Sequence, residues 1–298
     1  MFGFEKIIPT NSQYSFMSIR KLMLIVSTVA IITSVLLLFF KGLNLGIDFK
    51  GGTLIEVKTK DTNISDLRNI LNPEFNDVSL QEFGNTDTII IRVQNKSKNE
   101  NITTINKVKN LINDKVVEFR RSEFVGPSIS SELFFKGLQA ISIALIAILF
   151  YIWLRFEWQF GFGAVVALTH DVLLTLGLLA LFNIDFNLSN IAAILTIAGY
   201  SINDTVVIFD RVRENLRKYK KMDLVNLFDL SINNTLSRTV MTSLTTLIAL
   251  FCLFFLGGQV IKPFAFTMII GVVIGTYSSI FIAVPTLLLF NFRQQEED

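Results

Sequence analysis

Six long apolar stretches, separated by polar segments, dominate the chain. They are Leu22–Phe40, Phe134–Leu154, Phe160–Phe182, Leu188–Phe209, Arg238–Leu256 and Pro263–Phe290. Each is close to or above the roughly 20 residues that a helix needs to cross the hydrocarbon core of a bilayer. The pattern predicts a polytopic α-helical membrane protein with six transmembrane helices. We expect the first stretch to remain uncleaved, because its apolar run is longer than that of a signal peptide.

A second pattern occupies the polar insert between the first two stretches, residues 41–133. Four segments have the pattern of strands: Thr53–Thr59, Val78–Phe83, Thr88–Val93 and Val116–Val125. Two segments between them, Ile64–Leu71 and Ile102–Ile112, have helical spacing. The residues Gly84–Asp87 predict a hairpin turn. The order βαββαβ predicts a ferredoxin-like α+β domain. The insert holds no cluster of titratable groups that resembles an active site, so we interpret it as a binding or docking domain. The glycine-rich Gly42–Gly52 does not have the order of a P-loop, and we expect it to turn the chain into the first strand.

Composition agrees with a membrane protein that carries one modest soluble domain. Hydrophobic residues make up 51% of the chain and charged residues 17%, below the roughly 25% of soluble domains. No cluster of basic and aromatic residues predicts binding to nucleic acid. With one histidine and Cys252 as the single cysteine, we expect no internal disulfide, no zinc site and no cofactor.

The placement of lysine and arginine predicts how the chain is oriented in the membrane. In the arrangement of six spans, one side receives Lys6, Arg20, Lys21, Arg155, Arg211, Arg213, Arg217, Lys218, Lys220, Lys221 and Arg293. The two short links on the other side, residues 183–187 and 257–262, carry only Lys262. By the positive-inside rule both termini are expected in the cytoplasm.

These boundaries divide the chain into predicted parts. The parts are a cytoplasmic segment at residues 1–21, a transmembrane helix at 22–40, a domain at 41–133 outside the membrane (periplasmic if the source is a diderm bacterium), a five-helix bundle at 134–290 with a cytoplasmic basic loop at 210–237, and a cytoplasmic tail at 291–298.

Asp204 is an ionisable residue inside the apolar stretch Leu188–Phe209. A charge at the centre of a membrane helix costs roughly 2.5–3.5 kcal/mol on insertion scales, and such residues usually carry a function. Thr196 and Tyr200 recur with Asp204 on one helix face, and Asn203 neighbours it. We interpret this face as part of a proton path. The alternative is a polar seam between helices, which also favours Asn, Ser and Thr.

Arg238 opens the next apolar stretch and is a possible partner for Asp204. Thr242 lies on the same helix face as Arg238. An arginine stays protonated, so a pair would favour the ionised carboxylate, and breaking the pair would favour the protonated one. Alternation between the two states is one way to move a proton across a membrane. The alternative is that Arg238 extends to lipid headgroups.

His170 and Asp171 lie close to the middle of the third stretch. Adjacent residues point about 100° apart on a helix, so the two need not bond each other. They are interpreted either as a second relay or as a hydrogen-bonded structural pair. Gly271, Gly275 and Ser279 on the last stretch have the spacing that favours close helix packing.

Several of these segments together resemble a known family. They are Gly-Ile-Asp-Phe-Lys-Gly-Gly at 46–52, Gly-Pro with Ser and Glu-Leu at 126–133, Ala-Leu-Thr-His-Asp-Val at 167–172, Gly-Tyr-Ser-Ile-Asn-Asp-Thr at 199–205, Asp-Arg-Val-Arg-Glu-Asn at 210–215 and Asn-Thr-Leu-Ser-Arg-Thr at 234–239. The chain closely resembles the SecD/SecF family of the bacterial Sec protein-export machinery, within the resistance-nodulation-division superfamily. The form Ile-Asp-Phe at 47–49 is more similar to the SecF branch than to the SecD branch.

The resemblance implies a transport subunit rather than an enzyme. Its implied partners are SecD, the SecYEG channel, auxiliary membrane subunits such as YajC, and the exported polypeptide. It implies that the pair with SecD uses the proton gradient to promote export across the inner membrane. It also implies that Asp204 and Arg238 belong to the proton path.

Two other functions remain open at this point. One is a proton-coupled transporter of small molecules or lipids from the same superfamily, although the insert is small for a substrate pocket. The other is an intramembrane protease that would use Asp171 and Asp204 as a dyad. The chain lacks the Gly-x-Gly-Asp sequence expected of such a protease, and an arginine near Asp204 would oppose a shared proton.

Overall fold

The computed structural model describes residues 13–59, 62–75, 78–83, 85–93 and 101–290. Most of the predicted N-terminal segment, Gly84 of the predicted hairpin turn and the predicted tail at 291–298 lie outside these residues. The described residues form two compact units. The membrane unit holds the residues up to Asn44 and those from Ile141 onward, and the soluble unit holds Leu45–Ala140.

Ten α-helices follow one another along the described chain. In order they are α1 (Arg20–Phe40), α2 (Ile47–Lys50), α3 (Ile64–Leu71), α4 (Asn101–Ile112), α5 (Pro127–Arg155), α6 (Trp158–Leu181), α7 (Leu188–Lys218), α8 (Leu224–Leu256), α9 (Gly258–Ser278) and α10 (Val284–Leu287). Six helical segments, namely α1, α5, α6, α7, α8 and the one that continues from α9 into α10, are long and apolar enough to cross a membrane. The predicted number of spans is therefore confirmed.

Two membrane helices extend well beyond the apolar stretches that predicted them. α7 has 31 residues and α8 has 33, whereas about 20 suffice to cross the hydrocarbon core. Where the sequence predicted a basic loop at residues 210–237, only Tyr219–Asp223 separates the two helices. Hydropathy detects the apolar length and not the end of a helix, and the Arg, Glu, Leu and Lys residues beyond Phe209 are good helix formers. Asn215 Nδ2 donates to Ser231 Oγ at 2.9 Å, which ties the two extensions together.

The last predicted span, Pro263–Phe290, is not one regular helix. α9 ends at Ser278, the π-helical segment Ser279–Ala283 follows, and α10 completes the span. Short π-helical segments interrupt the regular hydrogen-bond ladder and are frequent at functional sites. This one begins at the depth where α9 meets the polar residues of α6 and α7 described below.

Glycines allow the membrane helices to approach one another closely. A Cβ atom at Gly271 would lie 2.8 Å from Ile197 Cγ2, and one at Gly275 would lie 2.9 Å from Ser201 Cβ. Both distances are shorter than ordinary Cβ contacts, so α9 packs against α7 through its glycines. The small-residue spacing on the last stretch predicted this close packing, and the prediction is confirmed.

The described residues also contain six strands. They are β1 (Asn44–Leu45), β2 (Gly52–Thr59), β3 (Val78–Phe83), β4 (Asn85–Val93), β5 (Val116–Val125) and β6 (Asp185–Phe186). In the soluble unit, β2 to β5 form an antiparallel sheet in the order β3-β4-β2-β5. The predicted turn Gly84–Asp87 is too long, because β4 already begins at Asn85, which pairs with Phe83.

The core of the soluble unit lies between the two helices and one face of the sheet. Ile55 and Val57 of β2, Leu67 of α3, Ile91 of β4 and Val108 of α4 are all fully buried in it. A smaller apolar cluster forms on the other side of β2. Because β2 is buried on both faces, its sequence alternates only partly between apolar and polar residues.

The glycine-rich segment before β2 turns the chain into the sheet, as predicted. Gly51 and Gly52 both have positive φ angles, 72° and 111°, which favour glycine because it has no Cβ. The segment also contains the one-turn helix α2. Ser130 Oγ lies 3.4 Å from the carbonyl oxygen of Ile47 and 3.1 Å from that of Gly126. Two of the motifs that carry the family resemblance therefore meet in the soluble unit.

We predict that Gly177→Ala destabilises the membrane unit. A Cβ at Gly177 of α6 would lie 2.8 Å from the backbone Cα of Ser34 of α1, and overpacking of this kind typically costs about 1–3 kcal/mol. Thermal unfolding in detergent is expected to show a lower midpoint for Gly177→Ala. Gly199→Ala is the matched control, because a Cβ there meets nothing within 4 Å and alanine favours a helix by about 1 kcal/mol. Equal midpoints for wild type and Gly177→Ala would contradict the close packing.

Candidate functional site

Asp204 lies near the middle of α7 and is buried, with 2% of its surface exposed. Its Oδ2 atom has no hydrogen-bond partner among the described residues. Buried polar atoms in proteins are nearly always hydrogen-bonded, so an unpartnered carboxylate oxygen marks a place where something else binds. A proton is the simplest ligand that satisfies such an oxygen.

Arg238 lies on α8 and is exposed. No ion pair joins it to Asp204 within the described part of the chain. The structure therefore represents the unpaired arrangement of the two residues. The paired arrangement that the sequence suggested requires a movement of α7, α8 or the arginine side chain.

The polar face of α7 is divided into an exposed part and a buried part. Thr196, Gly199 and Asn203 are exposed and form what we call the polar stripe, whereas Tyr200 is half-buried and Asp204 is buried. Thr196, Tyr200 and Asp204 were predicted to share one face, and Asn203 was predicted to adjoin it. The structure separates them because the edge of that face turns away from α8 and α9, and no described residue covers it.

Hydroxyl groups fill the contact between α7, α8 and α9 beside Asp204. Tyr200 OH donates to Ser243 Oγ at 3.4 Å, and Ser243 Oγ lies 2.7 Å from Thr276 Oγ1. Thr242 Oγ1 donates to the carbonyl oxygen of Thr239 at 2.9 Å. Thr239 Oγ1 is buried without a partner among the described residues. Tyr200 thus belongs to a short chain of hydroxyl groups with Ser243 and Thr276, whereas the hydroxyl of Thr242 donates to a backbone carbonyl.

Asp171 of α6 is fully buried and accepts hydrogen bonds from several helices. His170 Nδ1 lies 2.9 Å from Asp171 Oδ1, and Asp171 Oδ2 accepts from Ser201 Oγ at 2.5 Å and from Ser278 Oγ at 2.8 Å. We call these four residues the polar hub. The adjacent residues His170 and Asp171 do bond each other, although a helix points them apart. The hub fastens α6, α7 and α9 together one turn before Asp204.

A second layer of contacts connects the hub to α1. The imidazole of His170 stacks on the ring of Tyr277, with 5.9 Å between ring centroids. Tyr277 OH lies 2.8 Å from Ser27 Oγ and donates to the carbonyl oxygen of Met23 at 3.1 Å. His170 Nε2 is buried and has no hydrogen-bond partner among the described residues.

One turn further along α7, Thr205 repeats the contact with α9. Thr205 Oγ1 lies 2.9 Å from Ser279 Oγ, and Ser279 is the first residue of the π-helical segment. Ser201 and Thr205 thus anchor α7 on both sides of Asp204. Sequence reasoning did not single out Ser278, Ser279 or Tyr277 as site residues. They are polar within an apolar stretch, and Ser279 also has small-residue spacing with Gly271 and Gly275, but neither signal reveals their partners.

Comparison with known proteins identifies the family. The family described as "Protein export membrane protein SecD/SecF, C-terminal" matches residues 87–293, and the SecD/SecF GG motif matches residues 36–62. The protein translocase subunit SecF of Rickettsia rickettsii is 41% identical over 97% of this chain and 96% of its own. That of Calditerrivibrio nitroreducens is 43% identical over 95% and 96%.

The chain belongs to the SecD/SecF family. The resemblance that the motifs indicated is therefore confirmed. The chain is a multi-pass membrane protein of a protein-export family. This membership explains why the glycine-rich segment, the segment at 167–172 that holds His170 and Asp171, and the Asp204 segment occur in one chain.

Solved structures of SecDF share the fold. The crystal structure of SecDF, a translocon-associated membrane protein from Thermus thermophilus, has a TM-score of 0.86 and is 32% identical over 94% of this chain. A second structure, of SecDF in a super-membrane-facing form, has a TM-score of 0.69 and is 31% identical over 96%. The SecD/SecF chain described here spans 39% and 40% of the lengths of those two chains.

We predict that Asp171→Ala destabilises the membrane unit. The substitution leaves Ser201 and His170 without their acceptor inside a buried region, and each unsatisfied group costs about 1–3 kcal/mol. The midpoint of thermal unfolding in detergent is expected to fall. Asp210→Ala is the matched control, because that carboxylate is partly exposed and its ion pair with Arg155 is of a kind that contributes about 0–1 kcal/mol. If both variants unfold at the same temperature, the hub does not fasten the helices.

Proposed function

We propose that this chain is the SecF subunit of the Sec protein translocase and that, together with SecD, it uses the proton gradient to promote export of polypeptides across the inner membrane. The observation that carries the proposal is a match to SecF proteins over 97% of the chain, combined with a buried Asp204 whose Oδ2 has no hydrogen-bond partner among the described residues. The SecYEG channel, the exported polypeptide and auxiliary subunits such as YajC are the further partners that this function requires.

In this proposal Asp204 is the group that takes up and releases a proton. When Asp204 is protonated, its carboxyl group is neutral, and its Oδ2 atom then needs no positively charged partner. When it is ionised, it attracts the guanidinium of Arg238, and α8 then moves toward α7. Asn203, Tyr200 and Thr242 are proposed to line the proton path, because amide and hydroxyl groups both donate and accept hydrogen bonds.

His170 and Asp171 are proposed to support the same path by holding α7 in position. Their support comes from the bonds that Asp171 accepts from α7 and α9. His170 Nε2 lies next to this network and has no hydrogen-bond partner among the described residues.

The proton gradient supplies a free energy of the size that the proposed conformational change needs. One charge that crosses the membrane releases about 2.3 kcal/mol per 100 mV. Two conformations of a protein commonly differ by a few kcal/mol, so one or a few protons suffice to shift their populations. The work is proposed to reach the exported polypeptide through the soluble unit.

The soluble unit is proposed to be a ferredoxin-like domain in the periplasm that binds the exported chain. The order βαββαβ and the antiparallel sheet order β3-β4-β2-β5 support this assignment. The bias of lysine and arginine supports a cytoplasmic location for both termini and for the extended ends of α7 and α8. The proposed location of the whole chain is the bacterial inner membrane.

SecD is proposed to cover the polar stripe and Arg238. These groups are exposed in the single chain, and polar groups in a membrane helix rarely face lipid. The matched solved chains are named SecDF and are more than twice as long as this one, which supports a SecD half beside it.

Asp204→Asn is expected to abolish the stimulation of export by the proton gradient and to leave assembly intact, because asparagine keeps the size of the side chain but does not titrate. The measurement is translocation of a precursor into inverted membrane vesicles with and without a proton gradient. Asp210→Asn, on the same helix beyond the apolar stretch, is the control and should keep the stimulation. Full stimulation in Asp204→Asn would reject the proposed role.

Gly199→Leu is expected to weaken the association with SecD. A Cβ at this position meets nothing within 4 Å in the single chain, so its thermal midpoint alone should change little. A large side chain in the polar stripe would obstruct a partner helix, and co-purified SecD should decrease. Ala147→Leu, an exposed position on α5, is the control. Undiminished SecD in Gly199→Leu would place the partner on another surface.

A further inference from the structure

The extension of α7 beyond its apolar stretch carries an open groove of about 430 Å³. Its described lining consists of Asp210, Arg213, Glu214, Arg217 and Lys218. These residues recur at intervals of three and four, so they share one face of the helix. Three of them are cations and two are anions.

The two anions of the groove are already neutralised by other residues. Arg155 Nη2 lies 2.9 Å from Asp210 Oδ2 and 3.2 Å from its Oδ1. Arg211 Nη1 lies 2.8 Å from Glu214 Oε2. The positive charge of the groove is therefore not balanced by its own carboxylates.

The arginines of the groove have no such partners. In the part of the chain that the structure describes, neither Arg213 nor Arg217 forms an ion pair. Arg213 Nε is in addition buried without a hydrogen-bond partner. Lys218 Nζ lies over the face of the Tyr219 ring, 5.1 Å from its centroid, and forms no ion pair among the described residues. Unpaired guanidinium groups that surround a groove are suited to a phosphate, which they bind through parallel hydrogen bonds.

The depth of the groove coincides with the headgroup layer of a membrane. Leu188–Phe209 rises about 33 Å, which fills the hydrocarbon core of about 30 Å. Arg213 then lies about 6 Å further along the axis, within the layer of roughly 5–8 Å that headgroups add on each side. The long side chain of Arg217 can reach back to the same level.

Two neighbouring residues mark the same level independently. Arg155, the last residue of α5, contacts Asp210. Trp158, the first residue of α6, is 60% exposed. Tryptophan is enriched where membrane helices leave the hydrocarbon core. The groove thus begins where the lipid phosphates are expected.

We propose that this groove binds the phosphate of an anionic phospholipid headgroup. The same guanidinium groups would also bind a free phosphate ion, but the groove is open and lies at the depth where lipid phosphates are concentrated. A bound lipid at this site fixes the end of α7, the helix that carries Asp204. The proposal requires only that the chain is inserted in a membrane and does not depend on its proposed role in export.

The test is a titration of the full chain in detergent with fluorescent phosphatidylglycerol, with phosphatidylcholine as the zwitterionic reference. Each basic residue is expected to contribute about fivefold in affinity. The variant Arg213→Gln/Arg217→Gln should therefore bind phosphatidylglycerol more than tenfold more weakly. The variant Lys41→Gln/Lys262→Gln removes the same charge at the opposite ends of the spans and should bind as the wild type does.

A second variant separates loss of the site from loss of the fold. Arg213→Lys keeps the charge but removes the guanidinium fork, and it should bind with an affinity between those of the wild type and Arg213→Gln. Its thermal midpoint should equal that of the wild type. Equal affinities of the wild type and the double arginine variant, or no preference of the wild type for phosphatidylglycerol over phosphatidylcholine, would overturn the proposal.

A parallel titration with inorganic phosphate distinguishes the two sources of the ligand. Weak binding of phosphate alongside tight binding of phosphatidylglycerol supports a lipid site. Tight binding of inorganic phosphate without a preference for the anionic lipid overturns the lipid assignment. If the double arginine variant loses a co-purified translocase subunit but keeps its affinity for phosphatidylglycerol, the groove binds a protein, and the proposal is also overturned.

Discussion

The rest of the membrane unit depends on one constraint, which is that polar groups inside lipid must find partners within the protein. The two buried aspartates of the bundle meet this constraint differently. Asp171 accepts hydrogen bonds from α6, α7 and α9, whereas one oxygen of Asp204 has no partner in the part of the chain that the structure describes. An acid whose acceptors are all occupied holds helices together. An acid with a vacant acceptor can exchange a proton.

The contacts of α7 divide this helix into an anchored side and an open side. Ser201 and Thr205 attach the anchored side to α6 and α9, and the glycines of α9 leave little room for displacement there. The open side carries the polar stripe and faces no described residue. If the charge of Asp204 changes as proposed, we expect movement toward α8 and the uncovered face rather than toward the hub. The π-helical segment begins at Ser279, on the anchored side.

The sequence predicted the features that depend on composition and on the periodicity of apolar residues. It did not predict the features that depend on contacts between helices. Apolar length predicted six spans, alternation predicted the strands of the soluble unit, and a lone charge in an apolar stretch indicated Asp204. The helical nature of residues 210–237 was missed because hydropathy follows the thickness of the membrane. The partners Ser278 and Tyr277 were missed because the rotation of α9 against α6 decides which polar residues meet. The divided face of α7 was missed for the same reason.

The uncovered face also limits what the single chain can do by itself. An arginine and an asparagine that face lipid at this depth are costly, and the cost falls when a second helix bundle supplies polar partners or a lined water path. Packing against such a bundle would also bring new groups toward Asp204 and Arg238, which are not paired within the described chain. A proton site completed across an interface can respond to movement of either half, whereas one sealed inside a single bundle cannot. The exposed stripe is therefore the surface at which we propose that SecD packs.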